Sequence, residues 1–134
     1  MEAQDRRHPR LMFQARAHRR RPVDASAARD ILDILGTPDT AFMAGLLAQS
    51  ATRRTPVILD GVSGLAAGLL ADALTPGSAR WWLLPEVSSE PAAAVATRRL
   101  ALAPVVDRPL GAPAAAAGLV VLPLLDAAVS LRQE

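Results

Sequence analysis

Two short β-rich runs each lead straight into a helical segment, and that order limits the fold more than any other feature. Pro56-Val57-Ile58-Leu59-Asp60-Gly61 is a continuous apolar run ending on Asp-Gly. Such a run reads as a buried strand that reaches a turn. Leu65, Leu69, Leu70 and Leu74 follow at helical spacing, and Thr75-Pro76-Gly77 closes that helix. Trp81-Trp82-Leu83-Leu84 is a second strand. Ser88-Ser89-Glu90-Pro91 opens another helix, with a serine cap, an acid in the first turn and proline where no N–H is needed. Pro104 ends it, and Val105-Val106-Asp107 reads as a third strand. Strand–helix–strand–helix order predicts a parallel sheet with helices on its faces.

Helices flank this unit. Asp24 and Ser26 start a segment from Ala27 to Leu35 that Gly36 stops. Thr37-Pro38-Asp39-Thr40 is a turn able to cap a second helix, in which Met43, Leu46 and Leu47 recur with Phe42 beside them. Arg53 and Arg54 stand at its C-terminal end, where cations suit the helix dipole. Residues 119–132 read as a last helix kinked at Pro123. The Ala-rich stretches at 92–94 and 114–117 mark close helix packing.

Length and composition exclude several classes. The chain has 134 residues, enough for one domain. The absence of Cys removes disulfides, thiolate metal sites and a cysteine nucleophile. His8 and His18 both lie near the start, which argues against a buried Ser-His-Asp triad or a His metal cluster. The longest apolar stretch, Ala112 to Leu125, is 14 residues broken by Pro and Gly, too short to span a bilayer.

Charge is unevenly placed. All 15 basic residues are Arg. Residues 1–22 hold seven of them against Glu2 and Asp5, and read as a disordered tail suited to phosphate or an anionic surface if it binds anything. Residues 23–134 hold eight Arg against eleven acids and read as one α/β domain that does not suit nucleic acid. No apolar run follows the early arginines, so a secretory signal is not expected and the location expected is cytoplasmic.

In open α/β sheets, ligands sit beyond the carboxyl ends of the strands. Asp60-Gly61 lies at one such end, and Glu86 to Glu90 follows another. Asp60 reads first as a turn or cap residue and second as a catalytic acid. Ser88 and Ser89 read first as helix caps and second as phosphate ligands, and the two roles are compatible because a helix N-terminus is an anion site. Glu90 is a weaker candidate for a general base. The sequence contains no P-loop, no GxGxxG and no HExxH.

The order of these motifs is distinctive. Leu35-Gly36-Thr37-Pro38-Asp39-Thr40-Ala41-Phe42-Met43-Ala44-Gly45, Arg53-Arg54-Thr55-Pro56-Val57-Ile58-Leu59-Asp60-Gly61, Ser88-Ser89-Glu90-Pro91, Leu102-Ala103-Pro104-Val105-Val106-Asp107 and Leu122-Pro123-Leu124-Leu125 follow one another with consistent spacing. From Ala28 to Leu131 the chain resembles the C-terminal part of the nicotinate-nucleotide–dimethylbenzimidazole phosphoribosyltransferase family, which assembles the nucleotide loop of cobalamin. The resemblance covers nearly all of this chain and about the last third of the usual enzyme.

The resemblance implies a three-layer α/β fold, a homodimer and no metal or cofactor. It implies glycosyl transfer in which dimethylbenzimidazole displaces nicotinate from nicotinate mononucleotide to form α-ribazole phosphate. A family glutamate takes the azole proton as the other ring nitrogen attacks the ribose carbon. Aligned without gaps, that glutamate falls on Ala114 and the arginine of the same motif on Gly111. Glu86 and Val87 stand where the family has His-Arg, and Asp33 and Ile34 where it has a basic pair. The family's Gly-rich phosphate segment has no counterpart here. No catalytic residue is therefore assigned, and the candidate substrate-binding residues are Asp60, Gly61, Ser88, Ser89 and Glu90. The expectation is a truncated homologue, inactive alone, whose substrates by resemblance are nicotinate mononucleotide and dimethylbenzimidazole. It would self-associate or join a full-length homologue. The alternatives are a non-catalytic binding or partner module, or a remnant without function.

Overall fold

A computed structural model describes residues 23–111, 113 and 115–132. Residues 1–22, expected to be a tail, lie outside the described residues, and so does Ala114. In chain order the described elements are α1 (Ala25–Leu35), α2 (Pro38–Thr52), β1 (Val57–Ile58), α3 (Gly61–Leu74), a 3-10 turn (Ser78–Trp81), β2 (Trp82–Glu86), α4 (Pro91–Leu100), β3 (Pro104–Val106) and α5 (Ala116–Leu131).

The first two helices begin on side-chain caps that the sequence announces. Asp24 Oδ1 accepts the Ala27 N–H at 2.8 Å, and Thr37 Oγ1 accepts the Thr40 N–H at 3.2 Å with Pro38 in the first turn. Gly36 ends α1 with its N–H on the Ile31 and Leu32 carbonyls. Its backbone is not left-handed; glycine is needed because a Cβ there would run into the Leu32 carbonyl oxygen.

The sheet is parallel and ordered β1–β2–β3. Val57 pairs with Trp82 and Ile58 with Leu83; on the other side Leu84 pairs with Pro104 and Glu86 with Val106. Each connection passes through a helix, α3 and then α4, as parallel pairing demands. Alternation along the strands separates three layers. Leu59, Trp82 and Leu84 face α3 and α4, where they pack with Leu65, Ala67 and Leu100. Ile58 faces the other way, against Gly118 of α5. Behind α3, α1 and α2 close a smaller core of Ala28, Ala44 and Leu70.

Several boundaries differ from the sequence expectation. Trp81 belongs to the 3-10 turn, so the strand opens on Trp82 and runs on to Glu86. Pro104 does not end α4. Ala101 does, in the left-handed region at φ 52°, and Pro104 opens β3 instead. The serine cap is corrected too: α4 is preceded by Glu90 as its cap residue, and Ser88 Oγ accepts the Glu90 N–H at 3.1 Å in a turn before the helix. Glu90 therefore stands outside the first turn. The last helix starts three residues early, at Ala116, and continues through Pro123.

Phe42 and Leu46, expected beside the core, lie on the outer face of α2, which buries Ala44, Leu47 and Ala51. Helix α5 buries only Ala117, Gly118 and Val121. Leu119, Val120, Leu122, Leu124, Val129 and Leu131 are exposed along the rest of it. Among the described residues no helix is long and apolar enough to cross a membrane.

Candidate functional site

The C-terminal ends of β1 and β2 open into a cleft of about 170 Å³. All five residues singled out from the sequence line it: Asp60 and Gly61 after β1, and Ser88, Ser89 and Glu90 after β2. Parallel pairing of the two strands is what brings these distant stretches together. Leu59, Leu65 and Leu84 supply apolar lining, and all three also belong to the core beneath α3.

Local backbone shapes each side. Gly61 stands at φ 79°, a conformation open to glycine and strained for a branched residue, and it turns the chain from β1 into α3. Asp60 precedes α3 without a side-chain cap bond to it, and Glu90 precedes α4 in the same way. Two helices thus begin at the cleft with first-turn amides that no cap side chain engages. Helix N-termini of this kind favour anions.

Asp60 instead reaches across the site. Its Oδ2 accepts the Gly118 N–H of α5 at 2.9 Å. Glu86, the last residue of β2, accepts the Leu110 N–H in the connection from β3 to α5. Pro109 and Gly111, on either side of Leu110, complete the cleft wall. Glu86 is the residue that sequence reading left without a role. Its position at the strand end was visible, but its partner lies 24 residues away in a stretch with no regular structure. Ala114, the position matched to the family's general base, lies outside the described residues. Among the described residues no group of three or more His, Asp or Glu side chains is placed to hold a metal ion.

A family model described as phosphoribosyltransferase matches residues 5–134. The match thus begins inside the Arg-rich stretch. The chain is 42% identical over 123 residues to nicotinate-nucleotide–dimethylbenzimidazole phosphoribosyltransferase of Corynebacterium glutamicum, covering 92% of this chain and 33% of that protein. It is 44% identical over 100 residues to the protein of that name from Mycobacterium ulcerans, covering 75% and 28%. For the one from Streptomyces avermitilis the identity is 40% over 116 residues, covering 87% and 31%. The chain spans about a third of the length of these curated relatives. No solved structure matches it.

Proposed function

The chain belongs to this phosphoribosyltransferase family, and from that premise we propose that the β1–β2 cleft is a substrate-binding part of the family's site. Its ligands are those in the relatives' names, nicotinate mononucleotide and dimethylbenzimidazole. The observation that carries the reading is the convergence of Asp60, Gly61, Ser88, Ser89 and Glu90 on one cleft at strand carboxyl ends, where α3 and α4 both begin without a cap bond. Ser88 and Ser89 would meet ribose or phosphate oxygens beside the open amides of α4, and the apolar lining would take an aromatic ring. Gly61 leaves room for close approach.

Catalysis is not part of the proposal for this chain acting alone. Ala114 occupies the position that resemblance gives to the general base, and an alanine side chain takes no proton. The reading needs no metal or cofactor, and the location proposed is cytoplasmic. The test is an amide-resolved titration with both ligands.

The proposal extends to a partner. The exposed apolar residues of α5 form a surface of the kind that marks association sites. We propose a second copy of the chain or a full-length relative as the occupant. Sedimentation velocity from low to high micromolar concentration is expected to show concentration-dependent association. Replacing Leu119 and Leu131, which are 68% and 75% exposed, with glutamine should shift the chain to monomer without lowering its thermal stability. A sharp monomer across the range would contradict the second copy as the occupant.

A further inference from the structure

We infer that Asp60 and Glu86 are positioning residues, a two-point latch that holds Pro109–Gly111, the far wall of the cleft, and the start of α5 in place. Asp60 follows β1 by two residues and Glu86 ends β2, and these two strands are neighbours in the sheet. Asp60 takes the Gly118 N–H, and Glu86 takes the Leu110 N–H. One bond thus falls within the connection, at Leu110, and the other in the first turn of α5, at Gly118.

Each bond meets a local need. Helix α5 starts from Ala115, which sits at φ 70° and has no side chain able to cap. Gly118 carries one of the first-turn amides that a helix cannot satisfy internally. Asp60 supplies the acceptor from 58 residues away, which explains why it makes no cap bond to its own helix. A carboxylate at a helix N-terminus is favoured by charge as well as by the hydrogen bond. A Cβ at Gly118 would stand in ordinary contact with Ile58 and Asp60, at 3.5 and 3.7 Å, so α5 packs directly on this part of the fold.

At the other point of the latch, Leu110 lies between Pro109 and Gly111, both of which line the cleft. Gly111 is at φ 65° and gives the connection a pivot. Among the described residues, these two are the side-chain hydrogen bonds that join Leu110 and the start of α5 to the β1–β2 side of the cleft. Losing one frees one of these two points, and losing both frees both.

The effect of the latch on ligand affinity rests on the proposed function, but the latch itself does not. Hydrogen exchange at single amides separates the two. Asp60→Ala is expected to speed exchange at Gly118 about 10- to 100-fold, the range for losing a hydrogen bond to a charged acceptor, and Glu86→Ala to do the same at Leu110. The Leu59 amide, bonded to the Leu83 carbonyl at 2.8 Å, should keep its protection. Asp60→Asn and Glu86→Gln retain a carbonyl acceptor and should restore most of the lost protection. In the double alanine variant, affinity for dimethylbenzimidazole should fall at least tenfold. If the chain binds neither ligand while exchange responds as stated, the latch stands and the ligand reading fails. Unchanged exchange at Leu110 and Gly118 in the alanine variants would overturn the latch. Should the alanine variants not fold, loss of protection in the Asn and Gln variants would overturn it, and retention would support it.

Discussion

Trp82→Ala is expected to destabilise the fold by about 3–5 kcal/mol, the range for removing a buried aromatic side chain. Trp82 opens β2, is 3% exposed and joins the largest buried cluster. Its ring reaches the point where α3 comes nearest to the sheet. A Cβ on Gly68 would stand 3.3 Å from Trp82 Cζ3 and 3.1 Å from Leu59 Cδ1. The helix is therefore seated on the indole, and alanine would leave a void under it. Small domains hold only about 5–15 kcal/mol in total, so this loss is a large fraction. Urea unfolding followed by circular dichroism should show the midpoint lowered by about 2 M, given a slope near 2 kcal/mol/M. Trp82→Phe should lose far less. It keeps the ring packing and removes an indole N–H that is buried without an acceptor among the described residues, a burden of about 1–3 kcal/mol. A loss under about 1 kcal/mol for the alanine variant would contradict the packing described.

Turnover by this chain alone is expected to fall below that of a full-length relative by more than the 100- to 10,000-fold that losing a positioned general base brings. By resemblance the general-base position falls on Ala114, and the stretch Gly111-Ala112-Pro113-Ala114-Ala115-Ala116-Ala117 holds no titratable side chain. The chain also spans about a third of the relatives' length. Incubation with nicotinate mononucleotide and dimethylbenzimidazole, followed by chromatography for α-ribazole phosphate, should give no product above the buffer rate. Product at a rate near that of the Corynebacterium relative would mean that another group takes the azole proton.

Local signals carried most of the fold. The caps at Asp24 and Thr37 and the stop at Gly36 are each decided by neighbours within a few positions, and the runs read as strands at residues 56–61 and 81–84 contain or overlap the strands Val57–Ile58 and Trp82–Glu86. Misplaced boundaries arise where two local readings compete. Trp81 has strand propensity, yet the preceding Gly77 at φ 84° leads into a 3-10 turn that takes it. Ser88 has a capping side chain, yet Pro91 requires an extended residue before it, which makes Glu90 the cap residue. Phe42 is apolar, yet the face of α2 against α3 is filled by Ala44, Leu47 and Ala51, where small side chains allow close approach.

The candidate cleft was legible for a topological reason. Residues following parallel strands must gather at one edge, so Asp60, Gly61 and Ser88 to Glu90 could be grouped before their distances were seen. Their bonds could not be. Asp60 and Glu86 have partners 58 and 24 residues away, set by how the β3–α5 connection returns over the sheet. No short-range pattern records that return.

Whether the β1–β2 cleft binds nicotinate mononucleotide and dimethylbenzimidazole is decided by a two-dimensional amide NMR titration of the labelled chain. Nicotinate mononucleotide is added first and dimethylbenzimidazole second. The expected result is a dispersed spectrum with saturable shifts concentrated at Gly61 and at Ser88 to Glu90, with little change at distant Ala44 or Leu70. Dispersed peaks that stay still at millimolar ligand, or that move only away from the β1–β2 edge, would contradict binding at this cleft.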